Sequence, residues 1–301
     1  MGRGAQVVLR RLERVVDTTE RPGVAPASGM AAALAAPHFE VIPLKDTMER
    51  VGVLPSGSIV TITSSPVRGI EPTVDLAVRV SEAGYVAVPH LAARSIADRA
   101  QLLDIVEQLE QAGVHRAFVV GGDAKEPGEF ADGLSMLRAM EEMGHHFQEV
   151  GVPAYPEGHP LIETAVLRQS LKAKQSIASY MTTQLCFDPG AIERWLRAAR
   201  ADGVVLPLVL GLPGPADIAK VVRIATRIGV AASSRYLRKN RGLIGAVLRR
   251  KAFRPDRLLH QLHGMISDPA SNVRGLHLYT FNQVRESAEW QARALERATV
   301  T

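Results

Sequence analysis

The chain reads as one (β/α)8 TIM barrel, and three observations predict it. Short β-rich runs recur eight times, with helical stretches between most of them. The runs are close to continuously apolar, as strands buried on both faces require. The chain between successive runs leaves room for a helical crossover, which parallel pairing needs. Eight such repeats in 301 residues close into a barrel. An open, doubly wound sheet is the alternative, but its glycine-rich fingerprint is absent after the first run.

In chain order the expected strands are 38–44, 58–63, 85–89, 116–120, 147–154, 179–185, 204–210 and 275–281. The clearest helix is 96–112, where Ile96, Leu102, Leu103, Ile105, Val106 and Leu109 form one apolar stripe with charges opposite. Asp188 or Pro189 opens a helix that runs to Arg200, and Pro215 opens one that runs to Ile228. The last helix covers 282–297. Residues 1–36 sit outside the alternation and are expected to be a flexible extension, with an arginine-faced helix at 7–16 and a Pro/Gly/Ser-rich linker after it. The barrel domain then covers 37–301.

The composition, 46% apolar and 22% charged, is that of a soluble globular protein. No apolar run is long enough to span a bilayer, and residues 30–36 lack the basic lead of a signal peptide. One cysteine, Cys186, excludes an internal disulfide and a CxxC metal site, so a reducing cytoplasm is the expected compartment. The net charge of +5 is uneven. Between 235 and 257 nine Lys/Arg face a single acid, Asp256, which makes a local basic patch on a mildly acidic protein. The patch reads either as a solvated helix face or as a clamp for an anionic tail or a pyrophosphate. With only Tyr236 and Phe253 as aromatics, it does not indicate nucleic acid.

In a barrel of this kind the C-terminal strand ends build the site. Polar residues gather there: Thr63-Ser64-Ser65 after strand two, Pro89-His90 ending strand three, and Gly121-Gly122-Asp123 after strand four. Strand five leads to Tyr155, Glu157 and His159, strand six ends in Thr182-Thr183-Gln184, and strand eight carries His277, Tyr279, Thr280 and Asn282. Taken singly, each is an ordinary loop or cap residue. Glu40 is different, because an acid within an apolar strand costs several kcal/mol unless it is partnered or neutral. A neutral buried carboxylic acid is a proton donor at pH 7. Cys186 reads as an inert small hydrophobe, and no histidine pair has metal-ligand spacing, so proton donation and binding are the chemistry indicated.

The strand-end motifs resemble those of the methylenetetrahydrofolate reductase family across residues 38–296. "HFEVIP" is similar to the family's FEFFPP-type first strand, "PHLAAR" to PHLTC and "GGD" to RGD. "AYPEGHP" matches the strand-five loop, "TTQLCFD" the ITQxFFD motif and "LHLYTFN" the HFYTLN-type last strand. Each is weak alone, but six in order at barrel spacing are specific. The resemblance implies reduction of 5,10-methylenetetrahydrofolate to 5-methyltetrahydrofolate with NADH or NADPH, normally through bound FAD. It implies that Glu40 is the general acid, that Asp123 stabilises the iminium cation, and that Gln184 and Tyr279 bind the pterin. It places Thr63, His90, Tyr155 and His159 along the flavin and offers Lys174, or Lys172, as the family's lysine.

The departures fall on the flavin side. Ser64-Ser65-Pro66 replaces Tyr-Gly-Ala, Ala92 replaces a threonine, and Gly121 replaces the arginine that meets the flavin's phosphates. "SIAS" replaces "DAGA", no aromatic follows strand seven, and Gln283 stands for a common arginine. The expected protein is therefore a reductase whose flavin is weakly held or absent and whose nicotinamide passes hydride directly to the folate. Its partner would be a small folate, with the basic patch suited to a polyglutamate tail. The competing readings are a folate-dependent methyl-transfer or demethylation barrel and a non-catalytic folate-binding subunit.

Overall fold

The structure is a computed structural model and describes residues 29–217 and 252–300. It opens with α1 (Gly29–Ala35), followed by β1 (His38–Val41), α2 (Thr47–Val51), β2 (Ile59–Ile62), α3 (Glu71–Glu82) and β3 (Val86–Ala92). Next come α4 (Arg99–Gln111), β4 (Arg116–Val120), α5 (Gly133–Met143), β5 (Glu149–Ala154) and α6 (Thr164–Lys174). β6 (Tyr180–Thr183), α7 (Pro189–Ala201) and β7 (Leu208–Pro213) follow. A two-stranded antiparallel ribbon, β8 (Ala216–Asp217) with β9 (Ala252–Phe253), precedes α8 (Asp256–Gln261), α9 (His263–Ser267), β10 (Val273–Tyr279) and α10 (Val284–Val300). Eight strands close a parallel barrel in the order β1-β10-β7-β6-β5-β4-β3-β2, which is the expected (β/α)8 fold.

The helices begin where their caps dictate. Asp98 accepts from the Gln101 amide, so α4 starts after it and leaves Ile96 in the preceding turn. Asp132 and Ser135 form a capping box on α5, and Gly144, left-handed at φ 72°, ends that helix. Asp188 caps α7, with Pro189 in its first turn. Among the described residues no helix is long and apolar enough to cross a membrane.

Three expected boundaries move. β3 continues past Pro89-His90 to Ala92, which sets His90 inside the strand rather than at its end. The seventh strand begins at Leu208 and not at 204. Pro207 has no N–H for a ladder, and the Val204 and Leu206 carbonyls accept from the Arg200 guanidinium instead. Pro215 does not open a helix, because Ala216–Asp217 pair with Ala252–Phe253. The rest of that expected helix, most of the basic run (235–251) and residues 1–28 lie outside the described residues. Residues 29–35 of the expected extension form α1, with Met30, Ala31, Ala33 and Leu34 buried against β10, α9 and α10.

Most of the core lies between barrel and helices, from Leu34 and Val41 round to Trp290. Inside the barrel a small apolar plug joins Val88, Phe118, Tyr180 and Val209. Gly151 makes room for it, since a Cβ there would collide with the Tyr180 ring and stand 2.6 Å from Phe118. Below the plug Glu149 is 2.8 Å from Arg274 and 3.1 Å from Arg116, and Arg274 lies 4.7 Å above the Tyr180 ring. Burial would raise the Glu149 carboxyl, but the hydrogen bonds and charge of Arg274, with Arg116, outweigh it and hold the group below its ordinary value.

A carboxyl depressed in the folded state contributes stability above its unfolded pKa and loses it as pH falls through the folded one. Glu149→Gln should cost about 1–2 kcal/mol at pH 7, given the pair's partial exposure. The difference from wild type should shrink to zero below the carboxylate range, as read by urea unfolding at both pH values.

Candidate functional site

Alternation along each strand decides which side chains enter the barrel. On β1 these are His38 and Glu40, and on β10 they are His277 and Tyr279, paired in register as His38↔His277 and Glu40↔Tyr279. Glu40 Oε2 lies 3.1 Å from His277 Nε2, and the two side chains are 16% and 2% exposed. The acid inside the apolar strand is thus partnered, and it opens only slightly to the mouth.

The turn after β10 locks this arrangement. The Thr280 hydroxyl donates to the Glu40 carbonyl. Asn282 accepts from the Ile42 amide at 2.7 Å and donates to the Ile42 carbonyl at 3.0 Å. To do so Phe281 and Asn282 adopt left-handed conformations at φ 52° and 60°, which is easy for asparagine and strained for phenylalanine. Arg50 holds the Asn282 carbonyl at 3.0 Å.

The Tyr279 hydroxyl donates to the Thr183 carbonyl at 2.8 Å, and burial pushes its pKa well up, so it stays a donor. Gly211 belongs to this wall. A Cβ there would run into the Thr183 carbonyl and stand 2.9 Å from the Tyr279 ring. Gln184 follows β6 half-buried; its carbonyl oxygen accepts from the Leu185 amide, which leaves the NH2 group to meet other partners.

Asp123, Tyr155 and His159 gather above β4 and β5. Gly122, at φ 84°, packs on Ala92 and sets the turn that carries Asp123, which is exposed. Tyr155 is pushed up to about 12 by burial and then by the Asp123 charge. Burial lowers His159, while Asp123 pulls it the other way. The Tyr155 and His159 rings meet edge-on at 5.5 Å. Pro156 shapes the intervening turn, in which the Gly158 amide donates to the Tyr155 carbonyl at 3.1 Å. Thr63 follows β2, its amide on the Val41 carbonyl and its own carbonyl on the Thr73 hydroxyl.

Two expected residues sit elsewhere. His90 is within the barrel, its ring 4.8 Å from Phe118, and burial holds it at about 4, neutral, against the pull of Glu40. Lys174 ends α6 and lines a cleft with Tyr155, Arg168, Trp195 and Asp202. Burial lowers its pKa, and the charge it senses is Asp132, not Asp123 or Glu40.

Among the described residues, six side-chain atoms facing the barrel interior have no hydrogen-bond partner: His38 Nδ1, Thr61 Oγ1, His90 Nε2, Tyr180 Oη, Thr182 Oγ1 and His277 Nδ1. Each would cost about 1–3 kcal/mol if left unmet. His38 and His277 received no role from the sequence. The signal was available, because each stands two residues from Glu40 or Tyr279 and so shares its face.

Where the resemblance puts an arginine for a flavin's phosphates, the chain has Gly121. Space beside Gly121 is open, but glycine brings no charge there. Arg94, on the neighbouring loop, donates to the Ala124, Lys125 and Ala131 carbonyls, and Arg68 donates to the Pro43 carbonyl. The Arg94 guanidinium is thereby committed to backbone, while Arg68 spends one N–H on it.

A family model described as methylenetetrahydrofolate reductase matches residues 38–292. A curated relative from Caenorhabditis elegans, "Probable methylenetetrahydrofolate reductase (NADPH)", is 29% identical over 136 residues, 42% of this chain and only 20% of the relative. Among solved structures, an uncharacterized Clostridium thermocellum protein that binds two copies of 5-methyl-5,6,7,8-tetrahydrofolic acid aligns with TM-score 0.60 at 11% identity. That alignment covers 88% of this chain and 95% of the other, and it establishes a shared fold.

Gly211→Ala should destabilise the protein by about 1–3 kcal/mol, because the backbone atom it meets cannot move aside. Gly264→Ala, in open space on α9, serves as the control and should be neutral or slightly stabilising in the same urea titration.

Proposed function

The chain belongs to the methylenetetrahydrofolate reductase family, and on that premise we propose that it reduces 5,10-methylenetetrahydrofolate to 5-methyltetrahydrofolate with hydride taken directly from NADH or NADPH. The observation that carries this reading is Glu40, nearly buried at the barrel mouth and held by His277. Glu40 gives its proton to N10 of the folate. The bond between N10 and the methylene carbon breaks, its electron pair stays on N10, and a 5-iminium cation is left. Asp123, a carboxylate at the same mouth, offsets that developing charge. Hydride then adds to the methylene carbon and makes the methyl group.

Gln184, through its NH2 group, and Tyr279, fixed on the Thr183 carbonyl, hold the pterin edge and face. Thr63, Tyr155 and His159 line the side on which relatives bind flavin and here receive the nicotinamide. Both reactants then sit in one pocket, which replaces a shuttle by proximity. No step runs through FAD in this reading, which Gly121, in place of the family's phosphate-binding arginine, supports. The Clostridium thermocellum relative's methylated folate ligand supports a folate in this barrel. Retention of Glu40 favours a catalyst over a mere folate binder, which gains nothing from a buried acid.

The purified protein should show no stoichiometric flavin absorbance and should oxidise nicotinamide with methylenetetrahydrofolate when no flavin is added. A yellow protein that needs its flavin for turnover would refute direct transfer. Glu40→Gln should lower kcat by about 10²–10⁴ while folate binding survives.

A further inference from the structure

Each turnover of the proposed reaction removes one proton from Glu40, and the folate that takes it covers the mouth. A route from another side would let Glu40 regain a proton while the product still covers the mouth. Among the described residues, the carboxyl's hydrogen-bond partner is His277. His277 is 2% exposed, and its other nitrogen, Nδ1, has no protein partner. Beyond it the His38 ring lies 6.1 Å away, centre to centre, and Tyr180 lies 5.7 Å from His38. His38 Nδ1, Tyr180 Oη and Thr182 Oγ1 also lack partners. Tyr180 in turn sits under Arg274, beside the ion cluster at the barrel foot.

We propose that Glu40 is reloaded from below: His277 positions its carboxyl and delivers the proton, drawn through ordered water held among His38, Tyr180 and Thr182 from the foot of the barrel. The proposal rests on the reductase reading. Buried polar atoms in native proteins are met by protein or by water, and the unpartnered atoms of His38, Tyr180, Thr182 and His277 are the donors and acceptors such water would meet. Every link can both donate and accept, as a relay requires. Burial keeps His38 neutral, with one ring nitrogen of each kind, and keeps the Tyr180 hydroxyl protonated.

The charged and titratable groups round the pair are His38 on β1, His90 on β3, Tyr180 on β6 and Tyr279 on β10. Arg116, Glu149 and Arg274 stand below them. The foot cluster thus has two cations to one carboxylate. Its net positive charge disfavours a proton resting beside it, so charge that has passed the cluster is driven toward Glu40, the acid at the upper end.

His277→Gln keeps an amide N–H for the Glu40 carboxyl but lacks a second nitrogen to pass a proton on. Stopped-flow with enzyme in excess should show a first turnover within about twofold of wild type. With substrate in excess, kcat should fall roughly tenfold or more at unchanged kcat/KM, because a step after hydride transfer has become limiting, and added imidazole should restore part of it. Equal slowing of first and later turnovers, or no change in either, would overturn the relay. His38→Phe keeps the ring and leaves Glu40 and His277 in place. It should reproduce the burst, and normal steady-state turnover would overturn the water route even if His277→Gln does not fold.

A wild-type chain that binds tetrahydrofolate but oxidises no nicotinamide would overturn the reductase reading instead. The pair then still has its own readout in the ligand-free protein, the infrared carboxyl band that Glu40→Gln removes. Its titration midpoint should differ between wild type and His277→Gln, since His277 Nε2 lies 3.1 Å from the Glu40 carboxyl. Coincident curves would overturn the coupling.

Discussion

The barrel closes where its first strand meets its last, and the contact between Glu40 and His277 lies on that seam. Its geometry is set from outside the pair. Asn282 grips both backbone groups of Ile42, and Thr280 grips the carbonyl of Glu40 itself. These bonds fix the register of β1 against β10. Register matters here more than strength, because a slip by one residue would turn Glu40 and His38 into the helical shell and bring Phe39 and Val41 inward. The strained left-handed backbone at Phe281 is tolerated because the surrounding bonds over-determine it.

Stability and chemistry are separated in space. The apolar core lies outside the barrel wall, where helices from Leu34 to Trp290 cover it. The interior can then be polar without unfolding the protein. It has one small apolar plug, an ion cluster beneath and a set of histidines and hydroxyls above. Gly151 and Gly211 mark the two levels at which strand backbone gives way to an aromatic ring from its neighbour. The same device, a missing Cβ, packs the plug at one level and makes room for the Tyr279 ring at the other.

Much of this was legible in the sequence, and the misses have physical causes. Eight apolar runs and their helices gave the barrel, because period and punctuation are local properties. Glu40 stood out as a charge in an apolar strand, a conflict that a single run displays by itself. Its partner did not stand out, since His277 is 237 residues away and only barrel closure brings the two together. His90 was expected at a rim because Pro89 looked like a strand end, yet the ladder continues to Ala92. Lys174 was placed by analogy of position, but which way a helix residue faces depends on how the helix docks, and here it docks over a cleft near Asp132.

The rigid loop after β5 imposes a polarity on whatever it meets. His159 Nδ1 accepts the Leu161 amide at 3.2 Å, and burial favours the neutral ring. Its proton therefore resides on Nε2, and that atom can only give a hydrogen bond. The Tyr155 hydroxyl beside it keeps its proton as well. A carboxamide presenting its oxygen would find two hydrogens waiting, whereas one presenting its NH2 would meet donor against donor at His159. The loop thus distinguishes the two flips of an otherwise symmetric-looking amide.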